Sequence, residues 1–435
     1  MGEKKQHTDV LVIGAGIAGI EASLLLSKSG RRVHLVEKTS YTGGSVIKFE
    51  EVFSNMECST CMVSPVQQEL LQDKNINLLM LAEVEEVKGS LGNFTVKIRK
   101  KARYVDLQNC IGCNACFDPC PVSLKNEFEE GLSERKAIYV PCAGALPNVP
   151  MIDTEHCLHF KGKSCNACQE ACAFEAIDFK QKDESIELGV EAIIVATGYD
   201  IFDSKKTPKY GYGKIDDVYT AMEFERLYAS NGPTEGQIFL KNGKTPKSAA
   251  IIHCVGRDEK GYCSAVCCLY SLKFNHYLKS KIPEIKISEF YTDLCIPGKS
   301  HQKFYEKMKE TGTQMIRANV VEVTKSGKEI TVNYKDENGK KSNLLVDMVI
   351  LAPAIEPKSD ASELAKILGV SLDEYGFFKG ENQDVFSVVT SKPGIFAAGC
   401  CQGPKNIQNS VSQANAAVGK ILSATKTKME GDITA

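Results

Sequence analysis

"DVLVIGAGIAGIEASLLLSKSGRRVHLVEK", residues 9–38, decides the fold. "DVLVI" is a short apolar, β-branched run, and "RRVHLVEK" is another. Between them "IEASLLLSKSG" places apolar residues at helical spacing, so the stretch reads strand, turn, helix, strand. The turn holds Gly14, Gly16 and Gly19 as G-x-G-x-x-G, and Glu37 closes the second strand. In a βαβ unit such glycines let the backbone approach a pyrophosphate. The helix N-terminus supplies N–H groups, and the acid accepts a ribose hydroxyl. A glycine pattern alone also suits a tight turn that binds nothing; strand, helix and acid in register favour a nucleotide.

The chain has 435 residues, 25% charged and 43% hydrophobic, with a net charge of -2. These values predict two or three domains with sizeable cores. A near-neutral balance argues against a nucleic-acid binder. No apolar run reaches membrane-spanning length. "MGEKKQHTD" is charged, has no signal-peptide character, and has an incomplete myristoylation pattern, so a cytoplasmic protein is expected. The outlier is cysteine, with 18 in the chain. Dense, closely spaced cysteine without a secretory signal points to metal or redox chemistry.

Three later segments extend the nucleotide reading. "EKTSYTGG" carries Glu37 and Lys38 on to Gly43 and Gly44. "ATG", residues Ala196, Thr197 and Gly198, ends a strand predicted over 190–198. "GIFAAGCCQG" at 394–403 leads through a loop to a helix from about Ser410. Together they resemble the thioredoxin-reductase-like flavoproteins, which implies FAD. In that family the last segment wraps the cofactor, and an Asp follows the final Gly. Here Cys400 follows Gly399, so the usual carboxylate contact is missing. The last helix, opening near Gln408, Asn409 and Ser410, would aim its N-terminus at the flavin.

Residues 104–182 change character, with clustered cysteines, prolines and no long helix. "CIGCNACFDPCP" is C-x2-C-x2-C-x3-C-P, at Cys110, Cys113, Cys116 and Cys120. This is the bacterial ferredoxin run for a [4Fe-4S] cluster. A second set, Cys157, Cys165, Cys168 and Cys172, departs from it: seven residues separate its first two cysteines, and no Pro follows the last. The two-cluster arrangement pairs Cys110, Cys113 and Cys116 with Cys172, and Cys157, Cys165 and Cys168 with Cys120. Zinc is the alternative, since C-x2-C pairs suit it too.

Residues 247–350 read as a second α/β unit, where a two-nucleotide flavoenzyme binds NAD(P)H. Strands are predicted near "SAAIIHC", "KISEFY" and "DMVILA", with a hairpin turning at "DENGKK". No G-x-G-x-x-G follows the first strand; "HCVGRDEKGYC" puts charged residues between Gly256 and Gly261. Such a loop cannot bring its backbone to a pyrophosphate. The stretch carries Cys254, Cys263, Cys267 and Cys268 instead, either a full ligand set or a group of buried free thiols.

With "ECSTCMVSPVQ", "ATGYDIFD", "YCSAVCCLYSLK", "LDEYGFF" and "CCQGPKNIQNSVSQA", the chain resembles the A subunit of heterodisulfide reductase over residues 9–422. The resemblance implies a third [4Fe-4S] cluster on Cys254, Cys263, Cys267 and Cys268. It also implies a catalytic part for Lys273, one helical turn past the cysteine pair and close to the flavin. The implied function is an FAD and iron–sulfur subunit of a larger complex, with flavin-based electron bifurcation. Implied partners are heterodisulfide-reductase-like B and C subunits, a hydrogenase or dehydrogenase donor module, and ferredoxin. The alternatives are a relay toward quinone through partner subunits, an NAD(P)H-dependent flavin oxidoreductase, and a zinc-stabilised binding module. Longer family members carry an extra N-terminal segment and a C-terminal ferredoxin domain not expected here, so electron exit is expected through another subunit.

The expected fold is α/β: a thioredoxin-reductase-like two-domain flavoprotein with an inserted 2[4Fe-4S] ferredoxin domain. The FAD domain is expected over 1–103, 183–245 and 351–435, the ferredoxin-like insertion over 104–182, and the degenerate NAD-like domain over 246–350. Cys58 and Cys61 in "ECSTC" form a C-x2-C that suits a redox dithiol or a metal pair. Cys142, Cys295, Cys400 and Cys401 have no ligand-like spacing.

Overall fold

The computed structural model describes residues 9–327, 329–382 and 387–431. The charged leader at 1–8 and residues 383–386 and 432–435 of the expected FAD domain lie outside the described residues.

The opening βαβ reading corresponds to a strand at Val10–Ile13, a helix at Ile17–Lys28 and a strand at Val33–Glu37. The first strand is buried at every position, as a central strand covered on both faces must be. It pairs in parallel with Val33–Glu37 on one side and Ala192–Val195 on the other. Ile395–Ala397 and Ile76–Met80 complete a five-stranded parallel sheet. One face is covered by the Ile17–Lys28 helix and the last helix, meeting through Ala18, Ala22, Ala414 and Ala417. These small side chains let the two helices approach closely. The other face packs on a three-stranded antiparallel sheet and the Ala361–Leu368 helix.

The second unit is a seven-stranded sheet built around Ser248–Val255, with the "DENGKK" hairpin at its edge as Glu329–Asp336 and Lys341–Val346. Its boundaries differ from the expected 246–350. Val218–Thr220 pairs in parallel with Met348–Pro353, and the following Ala221–Tyr228 helix packs into the core of this unit. The strand Val218–Thr220 is only three residues long, too short to show a periodicity of its own. The last helix also begins earlier than expected, at Ile407. Asn406 caps it, its Oδ1 accepting from the Asn409 N–H at 2.8 Å.

Residues 104–182 have no helix beyond Ala167–Glu170, and their strands are two residues long. Their small core mixes thiols with aliphatic side chains: Cys116, Cys120, Cys157 and Cys168 are buried with residues such as Val105, Ile138, Ile152 and Ile177. Among the described residues no helix is long and apolar enough to cross a membrane.

Candidate functional site

A cavity of about 690 Å³ lies where the two sheets meet. Gly14 and Gly16 form part of its wall, with Glu37 and Gly44 nearby. The glycines serve different ends. Gly14 has φ +104°, and a Cβ there would stand 2.4 Å from the Ala196 carbonyl oxygen. A Cβ on Gly19 would stand 1.8 Å from the Gly14 carbonyl oxygen, so Gly19 shapes the turn without lining the cavity. Gly16 has nothing nearer than 4.0 Å to its would-be Cβ; its bareness leaves room for something absent from the protein itself. Gly43 donates to the Ala15 carbonyl and braces the loop from behind. The Glu37 carboxylate accepts from the Ala15 N–H at 2.7 Å and from the Thr39 N–H at 2.8 Å, which fixes it at the cavity edge.

These contacts separate two substitutions. Gly19→Ala is expected to disrupt the turn and give protein without flavin. Gly16→Ala is expected to fold normally yet lose most of its flavin. Visible absorbance of the purified variants checks both, and a flavin-replete Gly19→Ala would contradict the geometry.

Ala196, Thr197 and Gly198 line the cavity as expected, and so do Gly399, Cys400, Gln408 and Ser410. Besides Gly19 and Gly43, two further expected contacts differ. Lys38 turns away to pair with Asp360 at 2.7 Å on the surface, and Asn409 does not line the cavity, because the helix starts one turn earlier and presents Asn406, Ile407 and Gln408. The Cys400 thiol donates to the Lys405 carbonyl at 3.2 Å, and burial pushes it up. A neutral thiol thus stands where the family's carboxylate was expected. Lys405 itself lines the cavity, pushed down by burial; a lysine in a loop gave no signal of this.

Lys273 reaches the cavity from the Cys267–Lys281 helix, and its side chain is 1% exposed. Its ammonium lies 2.7 Å from Glu225 Oε2 and donates to the Glu51 carbonyl at 2.7 Å. Tyr270, Phe49 and Tyr277 surround it at 4.5, 5.1 and 5.2 Å. Burial pushes the ammonium down while Glu225 opposes the shift. Glu225, fully buried on the Ala221–Tyr228 helix, also accepts from the Tyr277 hydroxyl at 2.9 Å. Nothing in "EFERL" singled out Glu225 as a partner, because the pairing spans two distant helices.

On the same wall lies the third cysteine group. Near the end of the Ser248–Val255 strand, Cys254 has φ +61°. A Cβ on Gly256 would stand 2.5 Å from the Phe202 ring, so that glycine serves internal packing, not a nucleotide. The chain then returns through Cys263 to the helix that opens with Cys267 and Cys268. Cys254, Cys263 and Cys268 are all near enough to act on the Cys267 thiol, which is pushed up. Cys268 is pushed down, by hydrogen bonding from Cys267 and from the His253 ring. Cys267 lines the cavity as well. Cys295, expected to stand apart from any ligand set, packs against Cys267 and Cys268, with Cys263 also near its thiol. The intervening 26 residues concealed it.

In the inserted segment Cys110, Cys168 and Cys172 act on Cys116, whose thiol burial pushes up to about 12. Cys157 and Cys120 act on Cys168. A small cavity is lined by Cys120, Cys157, Cys165 and Cys168 together; Cys113 stands exposed. Among the described residues no three His, Cys, Asp or Glu side chains are gathered closely enough to hold a single metal ion. Cys58 and Cys61 are joined as a disulfide at the start of the Ser59–Gln72 helix.

The family model for FAD dependent oxidoreductases matches residues 9–74, and that for pyridine nucleotide-disulphide oxidoreductases matches residues 170–414, more than half the chain. Thioredoxin reductase from T. acidophilum shares the fold, with a TM-score of 0.51 at 15% identity, covering 96% of this chain and 99% of that one. LpdA from Mycobacterium tuberculosis does so with a TM-score of 0.54 at 12% identity, over 96% of this chain and 72% of that one. Among curated proteins, the A subunit of the H(2):CoB-CoM heterodisulfide,ferredoxin reductase of Methanothermobacter marburgensis is 38% identical over 94% of this chain and 63% of its own length. The A subunit of the Ferredoxin/F(420)H(2)-dependent CoB-CoM heterodisulfide reductase of Methanosarcina acetivorans is 37% identical over 98% of this chain. The chain spans 54% of that protein. With its glycine cradle, two-sheet cavity and these relatives, the chain belongs to the pyridine nucleotide-disulphide oxidoreductase family, among the relatives of the heterodisulfide reductase A subunit.

Proposed function

We propose that the chain is an FAD and iron–sulfur electron-transfer subunit of a heterodisulfide-reductase-like complex. The observation that carries this reading is Cys267, which lines the flavin-sized cavity and also neighbours Cys254, Cys263 and Cys268. A flavin in the cavity and a cluster on these thiols would share one wall, which suits a short electron hop. The flavin supplies exchange of electrons in pairs, and [4Fe-4S] clusters accept them singly. Two further clusters would sit in the insertion, one on Cys110, Cys113, Cys116 and Cys172, the other on Cys120, Cys157, Cys165 and Cys168. The shared cavity of the second set supports that crossed assignment.

The protein's own contribution is positioning. The glycine loop and the Asn406-capped helix would hold the cofactor's phosphates and ring. Lys273, and Lys405 beside Cys400, would place positive charge along the cavity. A flavin set between one-electron centres can split an electron pair, so bifurcation is the reading that uses every part. The donor would be a hydrogenase or dehydrogenase module. The acceptors would be B- and C-like subunits and ferredoxin, with the complex in the cytoplasm.

Cys263→Ser tests the carrying observation. In anaerobically purified protein, iron should fall from roughly 12 to roughly 8 per chain while FAD is retained. Unchanged iron would return these cysteines to ordinary thiols.

A further inference from the structure

Behind the third cysteine group runs a chain of buried polar side chains from three elements. Asn275 is on the Cys267–Lys281 helix, Glu289 on the Lys286–Tyr291 strand and His253 on the Ser248–Val255 strand. Asn275 Nδ2 donates to Glu289 Oε1 at 2.6 Å, and His253 Nε2 meets Glu289 Oε2 at 2.7 Å. Asn275 and Glu289 are 0% exposed and His253 3%. Burying a carboxylate costs several kcal/mol after relaxation, so an isolated pair here gains little for stability. The other ring nitrogen, Nδ1, is buried and has no hydrogen-bond partner of normal geometry among the described residues. Cys268 lies close enough to act on the ring.

Two other sulfurs of the group also face donors. Ala265 N–H donates to Cys263 Sγ at 3.3 Å. Thr292 Oγ1 and Arg257 Nη1 lie 3.5 and 3.9 Å from Cys254 Sγ. A shell of donors stabilises negative charge on sulfur, and reduction makes a thiolate-bound cluster more negative. We propose that His253, oriented by Glu289 and Asn275, is a positioning residue that donates its Nδ1–H to the Cys268 sulfur and raises the reduction potential of the cluster on Cys254, Cys263, Cys267 and Cys268. Glu289 Oε2 accepts a hydrogen bond from Nε2–H, and Asn275 holds the second carboxylate oxygen, so the ring is kept from turning away. The consequence is directional: the cluster nearest the cavity would draw electrons more readily than one held by cysteines alone.

This inference rests on the cluster reading of the preceding section, and the experiment separates the two. The full chain, purified without oxygen, is compared with His253→Leu and Glu289→Gln by iron analysis and EPR-monitored redox titration. The signal lost in Cys263→Ser identifies the cluster concerned. His253→Leu should keep its iron and shift that signal to lower potential, with the reduction equilibrium constant down about tenfold, 59 mV for one electron. Glu289→Gln should shift it in the same direction by less, and it carries the test where His253→Leu loses its iron. Wild-type potential with full iron in the two variants, or in Glu289→Gln where His253→Leu loses its iron, overturns the role of His253 and leaves the cluster standing. Iron unchanged by Cys263→Ser overturns the cluster itself, and the inference with it.

Discussion

Replacing Arg226 by Met should destabilise the protein by about 3–5 kcal/mol, because it leaves a buried carboxylate without its cation. Arg226 is 0% exposed on the Ala221–Tyr228 helix, and Glu129 lies in the cysteine-rich insertion. Its Nε and Nη2 donate to the two Glu129 oxygens at 2.8 and 3.0 Å. Nη1 donates to the Lys48 carbonyl at 2.9 Å, and Nη2 to Asn231 Oδ1 at 2.9 Å. One guanidinium therefore ties the insertion to the flavin-side loop and to the helix that carries Glu225. Arg226→Met with Glu129→Met should recover most of the loss, since apolar residues replace a buried pair at little cost. Unfolding midpoints of the single and double variants give the coupling. Hydrogen exchange across 104–182 should quicken in Arg226→Met alone. A loss below about 1 kcal/mol, the worth of an exposed pair, would mean that this seam does not hold the insertion.

The chemistry of the motifs was legible from the sequence wherever it was local. Gly14, Gly19 and Glu37 act within one βαβ unit, and their spacing carries the geometry. The ferredoxin-like cysteine runs rest on equally local spacing, and the crossed cluster assignment built on them is the part that iron analysis tests. What the sequence concealed depends on distant elements meeting. Glu225 reaches Lys273, Arg226 reaches Glu129 and Cys295 reaches Cys268 only because the sheets and helices pack as they do. A buried charge in sequence looks like a solvated one: "EFERL" reads as an ordinary amphipathic helix. The expected boundary at 246 fell after a strand of three residues, too short for any periodicity. The late helix start came from reading Ser410 as an N-terminal residue when Asn406 was the better cap.

Lys273 offers the sharper separation of stability from function. Lys273→Met should cost about 3–5 kcal/mol, because Glu225 loses the partner that justifies its burial. That loss alone says nothing about electrons. The pair has a direction, however: Lys273 lines the cavity, and Glu225 does not. A ligand in the cavity would face the ammonium, with the carboxylate behind it. Glu51 also lines the cavity; burial pushes its carboxyl up, and Lys273 opposes that shift. Lys273→Met with Glu225→Gln removes both charges and should restore most of the stability. It should not restore the flavin's potential, because the reduced ring is the more negative one and has lost its facing cation. A tenfold weaker reduction equilibrium, about 30 mV for two electrons, is the expected signature in both variants. A double variant with wild-type stability and wild-type potential would make the lysine a structural partner of Glu225 and nothing more. One with restored stability and a lowered potential would give the helix two roles, closing the cysteine group at Cys268 and, within two turns, setting the charge that the flavin meets.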